Sequence, residues 1–282
     1  MGGGLHARPL GVRDRPEVLK LLSTRPDENL VLVDLAERLG AERLEGEAVP
    51  QLQGVFEGTR LVAVAALRPS VVLSSGLSDE MLDALIPALR RIPSGLIKSE
   101  SPAVERLWKR LEGVGRRAVI DRIEIAYRLT PERLAPAGDA LPGFARPARA
   151  GDLEDLVHAA RASLWEEDRP DPADGDPAGF RRWVEGRLAH ARVVSDRGRM
   201  VFVAYADVRR PQGWLVQGVY TWPEARRRGF ARRGMDSVVR EAFAMGAAHV
   251  QLAVVEGNLG AATLYRGMGF EPFCELRTIL YH

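Results

Sequence analysis

The stretch "PEARRRGFARRG", residues 223–234, sets five arginines around two glycines directly after the apolar run "GWLVQGVYTW" (213–222). A basic cluster of this kind serves as a nucleic-acid patch, a solvated charge run or a loop that holds one anion. The residues downstream narrow the choice. Met235, Val238, Val239 and Phe243 recur at helical spacing, so the cluster marks a passage from strand to helix. A helix N-terminus leaves backbone N–H groups unpaired and favours negative charge. Gly229 and the small Ala231 let a ligand approach the backbone, and Arg226 and Arg228 supply charge-assisted hydrogen bonds; the combination fits a pyrophosphate or nucleotide phosphate.

Working outward, "HVQLAVV" (249–255) reads as a buried strand, "NLGAATLYRGMG" (258–269) as a short helix and "CELRTILYH" (274–282) as a last strand. Upstream, "FARPARAGDLEDLVHAARASLW" (144–165) predicts a short strand and a helix capped by Asp152. The acidic "WEEDRPDPADGDP" (165–177) then leads into a helix over 178–191. Three strands joined by polar turns follow, over 191–196, 198–208 and 213–222, as in an antiparallel meander. "TPERLAPAGDALPGFARP" (130–147) is the candidate linker, because Pro, Ala and Gly dominate it and periodicity is lost. The first half repeats the order more weakly. "RPLGVRDRPEVLKLLS" (8–23) parallels the Arg-Pro, the Asp and the helix of the second half, and strands or helices are predicted over 49–75, 78–92, 95–100, 101–113 and 122–129. Where it passes from strand to helix it has "LSSGLSDEML" (73–82), without a basic residue, so no anion loop is expected there.

The 282 residues suit two domains, and 46% hydrophobic with 28% charged residues is a globular composition. A formal net charge of +2 argues against general nucleic-acid binding. Cys274 is the single cysteine, which excludes an intrachain disulfide and a CxxC pair and fits a cytoplasmic setting. No apolar run approaches the ~20 residues that span a bilayer, and the five histidines show no metal-ligand spacing. No metal, nucleic-acid or membrane partner is expected. His249, at the start of a buried strand, reads as structural.

Together, "VYTWPEARRRGFARRGMDSVV" (219–239) and "NLGAATLYRGMGF" (258–270) resemble the two signature segments of the GNAT superfamily of acyl-CoA-dependent N-acyltransferases. The family pattern Gln/Arg-x-x-Gly-x-Gly/Ala is matched by Arg226, Gly229 and Ala231, with Arg227, Arg228 and Phe230 at its variable positions. The resemblance implies that this loop binds the pyrophosphate of acetyl-CoA through backbone amides. It also implies that Asn258 and Ala261 lie along the pantetheine arm and that Tyr265 is the general acid toward the departing thiolate. Val219, Tyr220 and Thr221 take the place of the family's splayed strand, which hydrogen-bonds the pantetheine and the thioester oxygen. The implied fold is α/β (α+β): two tandem GNAT-like domains, each a mixed, mostly antiparallel sheet flanked by helices. A degenerate N-terminal domain (1–135) is expected before a linker (136–143) and a catalytic domain (144–282), a layout known among bacterial members.

The implied reaction is transfer of an acyl group to a primary amine, on a small molecule or a protein lysine. The strand "WLVQGVYTW" carries Gln217 where many relatives carry a carboxylate, so the base is sought in Glu166, Glu167 or a water chain. A packing role for Tyr265, a capping role for Asn258 and a solvated role for the acidic loop stand beside these readings. The same missing carboxylate motivates an alternative, a non-catalytic acyl-CoA-binding or sensor protein. The first half is expected to scaffold the acceptor site or a homodimer interface.

Overall fold

A computed structural model describes residues 4–41, 49–136 and 144–282. The first half runs β1 (Leu5–Pro9), α1 (Arg15–Leu22), α2 (Pro26–Glu37), β2 (Gln51–Glu57), β3 (Arg60–Arg68), β4 (Val72–Leu73), α3 (Asp79–Leu89), β5 (Gly95–Glu100), α4 (Ser101–Glu112) and β6 (Ala118–Leu129). The second half repeats this order: β7 (Arg146–Pro147), α5 (Leu153–Glu166), α6 (Pro177–Gly186), β8 (Ala191–Asp196), β9 (Arg199–Arg210), β10 (Gly213–Thr221), α7 (Phe230–Ala244), β11 (Val250–Val255), α8 (Leu259–Arg266) and β12 (Glu271–Tyr281). The fold is α/β, with sheets flanked by helices. Of the expected linker 136–143, residues 137–143 lie outside the described residues.

The repeat extends to a side-chain clasp. Arg8 grips Asp14 through both guanidinium nitrogens at 3.1 and 2.7 Å, and Arg146 grips Asp152 at 2.7 and 2.9 Å. Each aspartate also accepts a backbone N–H three residues earlier, from Gly11 at 2.8 Å and Arg149 at 2.7 Å. Asp152 therefore stands at the start of α5 without bonding that helix's own N–H groups; its carboxylate fastens the incoming strand instead.

The two halves exchange their last strands. The strand order is β1-β2-β3-β4 in one sheet and β5-β12-β6-β11-β10-β9-β8-β7 in the other. Thus β6, from the first half, lies beside β11, and β12, from the second half, lies beside β5. The exchanged strands pair antiparallel with each other from Glu271↔Arg128 to Tyr281↔Ala118. A parallel bridge at Val71↔Ile97 links the two sheets, with backbone bonds of 2.8 and 3.0 Å. Each core is completed by the other half: Tyr127 and Leu129 join the second-half core, and Ile279 and Tyr281 pack with Leu107 and Trp108 of the first. Ion pairs reinforce the seam, where Asp27 on α2 meets Arg128, and Asp34 on α2 meets Arg210 at 2.8 Å. Among the described residues no helix is long and apolar enough to cross a membrane.

Candidate active site

Strands β10 and β11 pair in parallel only at Trp214↔Val250 and Leu215↔Gln251, and beyond that they separate. On its other edge β10 breaks register with β9 between Gln217 and Tyr220, where Gly218 adopts a left-handed φ of 56°. This bulge takes up one extra residue on β10, and Val219–Thr221 run unpaired with β11, which stays fully paired with β6. The result is a cleft whose walls are unpaired strand edges. Backbone N–H and C=O groups facing such a gap need a partner. The separation expected for Val219, Tyr220 and Thr221 is therefore observed.

The cleft opens onto the arginine loop. Arg226 follows a short turn at Pro223–Ala225, Arg227 has φ 60°, and Gly229 has φ 82° at the N-terminus of α7. A side chain on Gly229 would touch only Arg233 Nε at 3.9 Å, so the backbone angle, rather than crowding, calls for glycine, and the space above it is open. The N–H groups of Arg227, Arg228 and Gly229 find no acceptor among the described residues, and those of Phe230 and Ala231 open α7 without an intrahelical partner. Five backbone donors left without a protein acceptor at a helix start have the chemistry of an anion cradle.

The arginine side chains divide the work differently from the sequence expectation. Arg226 turns back to Glu166, at 2.6 and 2.8 Å, and donates to the Thr221 carbonyl at 2.9 Å, with its guanidinium over the Tyr220 ring. Arg228 pairs with Asp196 at 2.9 Å and covers Phe230. Arg227 has no side-chain partner among the described residues, and Arg233, beside Gly229, has only the Phe144 and Phe230 rings, so these two charges are left for a bound anion.

Across the cleft, Asn258 caps α8 by accepting from the Ala261 N–H at 3.1 Å. Tyr265, on the same helix, is 5% exposed, edge-on to Phe270 with ring centroids 5.6 Å apart. Its hydroxyl makes no hydrogen bond among the described residues, and burial pushes its pKa well above the ordinary tyrosine value. The phenol thus holds its proton and has it free to donate. Glu166 and Glu167, at the end of α5, are both in ion pairs, Glu166 with Arg226 and Glu167 with Arg122 at 2.8 Å. Tyr220 donates weakly to Glu166 at 3.4 Å; burial first, then the Glu166 charge, raises its pKa. His249 is buried and bonded to Gln251 at 3.1 Å, a structural setting.

Sequence reasoning missed a polar cluster on the exchanged strand. Glu124, 3% exposed, receives Lys98 Nζ at 2.5 Å, the Thr278 hydroxyl at 2.7 Å and Arg122 Nε at 3.2 Å. Its members come from β5, β6 and β12, so only the charged residues inside the otherwise apolar run "IDRIEIAYRL" hint at it.

The order of cleft, loop and capped helix has counterparts among known proteins. A family model described as the Acetyltransferase (GNAT) family matches residues 154–270. Residues 154–270 form a GNAT acetyltransferase domain. A curated relative, the L-ornithine N5-acetyltransferase NATA1 of Arabidopsis thaliana, is 27% identical over 78 residues, 28% of this chain and 34% of its own, so the match spans about a third of that protein. Among solved structures, a Drosophila protein from a structural-genomics effort superposes with TM-score 0.72 at 15% identity over 97% of this chain and 98% of its own. A GCN5-related N-acetyltransferase from Sphaerobacter thermophilus gives 0.59 at 16% identity over 98% and 95%. A tandem GNAT protein from the clavulanic acid biosynthesis pathway gives 0.56 at 15% identity over 98% and 97%. These structures share the fold along nearly the whole chain, both halves included; the GNAT domain is the part that the family model also matches.

Proposed function

We propose that the protein is an acetyl-CoA-dependent N-acetyltransferase whose acceptor is a primary amine. The observation that carries this reading is the register break at Gly218. It opens β10 from β11 in line with the unpaired N–H groups of residues 227–231. Acetyl-CoA, when bound, supplies the activated acyl group. The loop from Arg227 to Ala231 holds its pyrophosphate, the free edge of β10 at Val219–Thr221 aligns the pantetheine and polarises the thioester carbonyl, and Asn258 and Ala261 line the arm. Tyr265 donates its hydroxyl proton to the leaving sulfur. Glu166 and Glu167 are assigned to positioning, because accepting a proton would forfeit the ion pair each one makes; water takes the proton of the amine. The N-terminal half is read as a degenerate GNAT-like domain: its strand-to-helix passage at Ser74–Ser78 lacks a basic residue, while its β6 lends the catalytic half a strand.

The Arabidopsis relative acts on ornithine by its name, which favours a small amine over a protein lysine for this chain. The test is coenzyme A release from acetyl-CoA over a panel of amines, with Tyr265→Phe as control. Amine-dependent release in the parent, lowered ~10²-fold in the variant with acetyl-CoA affinity kept, supports the assignment. Gln217 and the ion-paired Glu166 and Glu167 favour a second reading, a non-catalytic acyl-CoA binder. Acetyl-CoA binding without turnover over the whole panel would select it.

A further inference from the structure

Three cations and two carboxylates meet beside the cleft. Lys98, Arg122 and Arg169 face Glu124 and Glu167, leaving one positive charge uncompensated among them. Lys98 and Arg122 are bound by the carboxylates, whereas Arg169 donates to none: among the described residues its side chain has neither a hydrogen bond nor an ion pair. Its backbone is pinned, donating to the Leu164 carbonyl at 3.0 Å two residues beyond the Glu167 that grips Arg122, and the residue is partly buried. Burial, and then the like charge of Arg122, pull its pKa below the ordinary arginine value. In Arg122, by contrast, the two glutamates outweigh burial. A half-buried guanidinium without a partner, facing another cation, is a costly arrangement that a bound anion would relieve.

The cluster adjoins the cofactor cleft. Consecutive residues at the end of α5 reach to the two sides: Glu166 ties to Arg226 of the phosphate loop, and Glu167 to Arg122 of the cluster. Glu124 is paired across the sheet with Val255 of β11, the strand that forms one wall of the cleft. Arg122 also lines an open groove of about 490 Å³ with Asp121, Ile123, Val255, Glu256 and Arg277. In that groove Asp121 and Arg277 neutralise each other at 2.7 and 2.5 Å, while Glu256 has no side-chain partner among the described residues. Cationic and anionic groups therefore lie together, as a ligand carrying both charges requires.

We propose that the acceptor amine bears a carboxylate, as a free amino acid does, and that Arg169, with the guanidinium nitrogen of Arg122 that neither glutamate takes, grips that carboxylate beside the acyl site. This rests on the acetyltransferase reading and names its substrate class. The carboxylate end is fixed by planar guanidinium donors, and the amine end is thereby turned toward the thioester. The catalytic half alone would not form this subsite, since Arg122 arrives on the strand lent by the N-terminal half.

The experiment compares matched pairs that differ only in the carboxylate, L-lysine with cadaverine and L-ornithine with putrescine. Calorimetry on the full chain, with and without coenzyme A, is followed by initial rates with acetyl-CoA. In the parent the amino acid of at least one pair binds about tenfold or more tightly than its decarboxylated partner. In Arg169→Gln that preference falls to within about twofold through KM, with acetyl-CoA affinity unchanged, and Arg169→Lys restores part of it. The proposal is overturned if no amino acid outbinds its decarboxylated partner, or if the preference survives in Arg169→Gln. Absence of acetyl-CoA binding would instead defeat the acetyltransferase reading, and the amine-binding arm, which needs no turnover, would still decide the subsite.

Discussion

Protonating Glu124 should cost the protein much of what holds its exchanged strands. Burial by itself would raise the pKa of this carboxyl, but Lys98, the Thr278 hydroxyl and Arg122 outweigh it and bring the folded value down from 4.5 to about 2. A depressed folded value means stability that is fully present above 4.5 and is lost as pH falls from there toward 2. At ~1.4 kcal/mol per pH unit, the whole gap corresponds to about 3 kcal/mol, of which about 2 kcal/mol is gone by pH 3. Glu124→Gln removes the titration and leaves Lys98 without its counter-ion, so the variant should be less stable at pH 7 by about 2–4 kcal/mol. Urea unfolding of both proteins, followed by far-UV circular dichroism at pH 7, 5, 4 and 3, isolates the residue because all other carboxyls titrate in both. The stability gap between parent and variant should narrow by about 2 kcal/mol between pH 7 and pH 3. A gap that stays constant across that range would refute the reasoning.

Other consequences follow from the same geometry. Because burial raises the Tyr265 pKa, this residue, the proposed general acid, keeps its proton well into alkaline solution, and kcat should show no decline from pH 8 to 10; a fall with a midpoint in that interval that Tyr265→Phe abolishes would assign the residue a different role. A methyl on Gly234 would sit 2.5 Å from the buried Phe202 ring, so Gly234→Ala should lose about 1–2 kcal/mol in thermal unfolding despite the better helix propensity of alanine. Exchange of β6 and β12 gives each core residues from the other half, so scanning calorimetry should show one transition; two well-separated ones would mean that the halves stand alone.

The geometry of the candidate site was legible in the sequence where its parts are local. The strand, the glycine at φ 82° and the helix of the phosphate loop follow one another within about twenty residues, and Asn258 to Tyr265 lie on a single helix. The internal repeat was legible because Arg8 and Asp14, like Arg146 and Asp152, are the same six residues apart in both halves. Strand exchange was not, since β6 and β12 hold equivalent places in the repeat and an alternating strand carries no mark of which sheet it joins. α2 escaped notice because Arg25 offers no side-chain cap and Leu30, Leu32, Val33, Leu35 and Ala36 are nearly continuous, which blurs the helical period. The partners of Arg226 and Glu124 are separated from them by 60 residues and by as many as 154, beyond any local pattern.

The central claim is that residues 227–231 cradle the pyrophosphate of coenzyme A. Titration of acetyl-CoA and free coenzyme A into the protein by calorimetry tests it, with Gly229→Asp as the control. The variant places a side chain and a negative charge in the open space above a left-handed backbone position. The account predicts binding of both ligands by the parent and a loss of at least about a hundredfold in the variant, whose circular dichroism stays that of the parent. Equal affinity in parent and variant, or no binding by the parent, would contradict it.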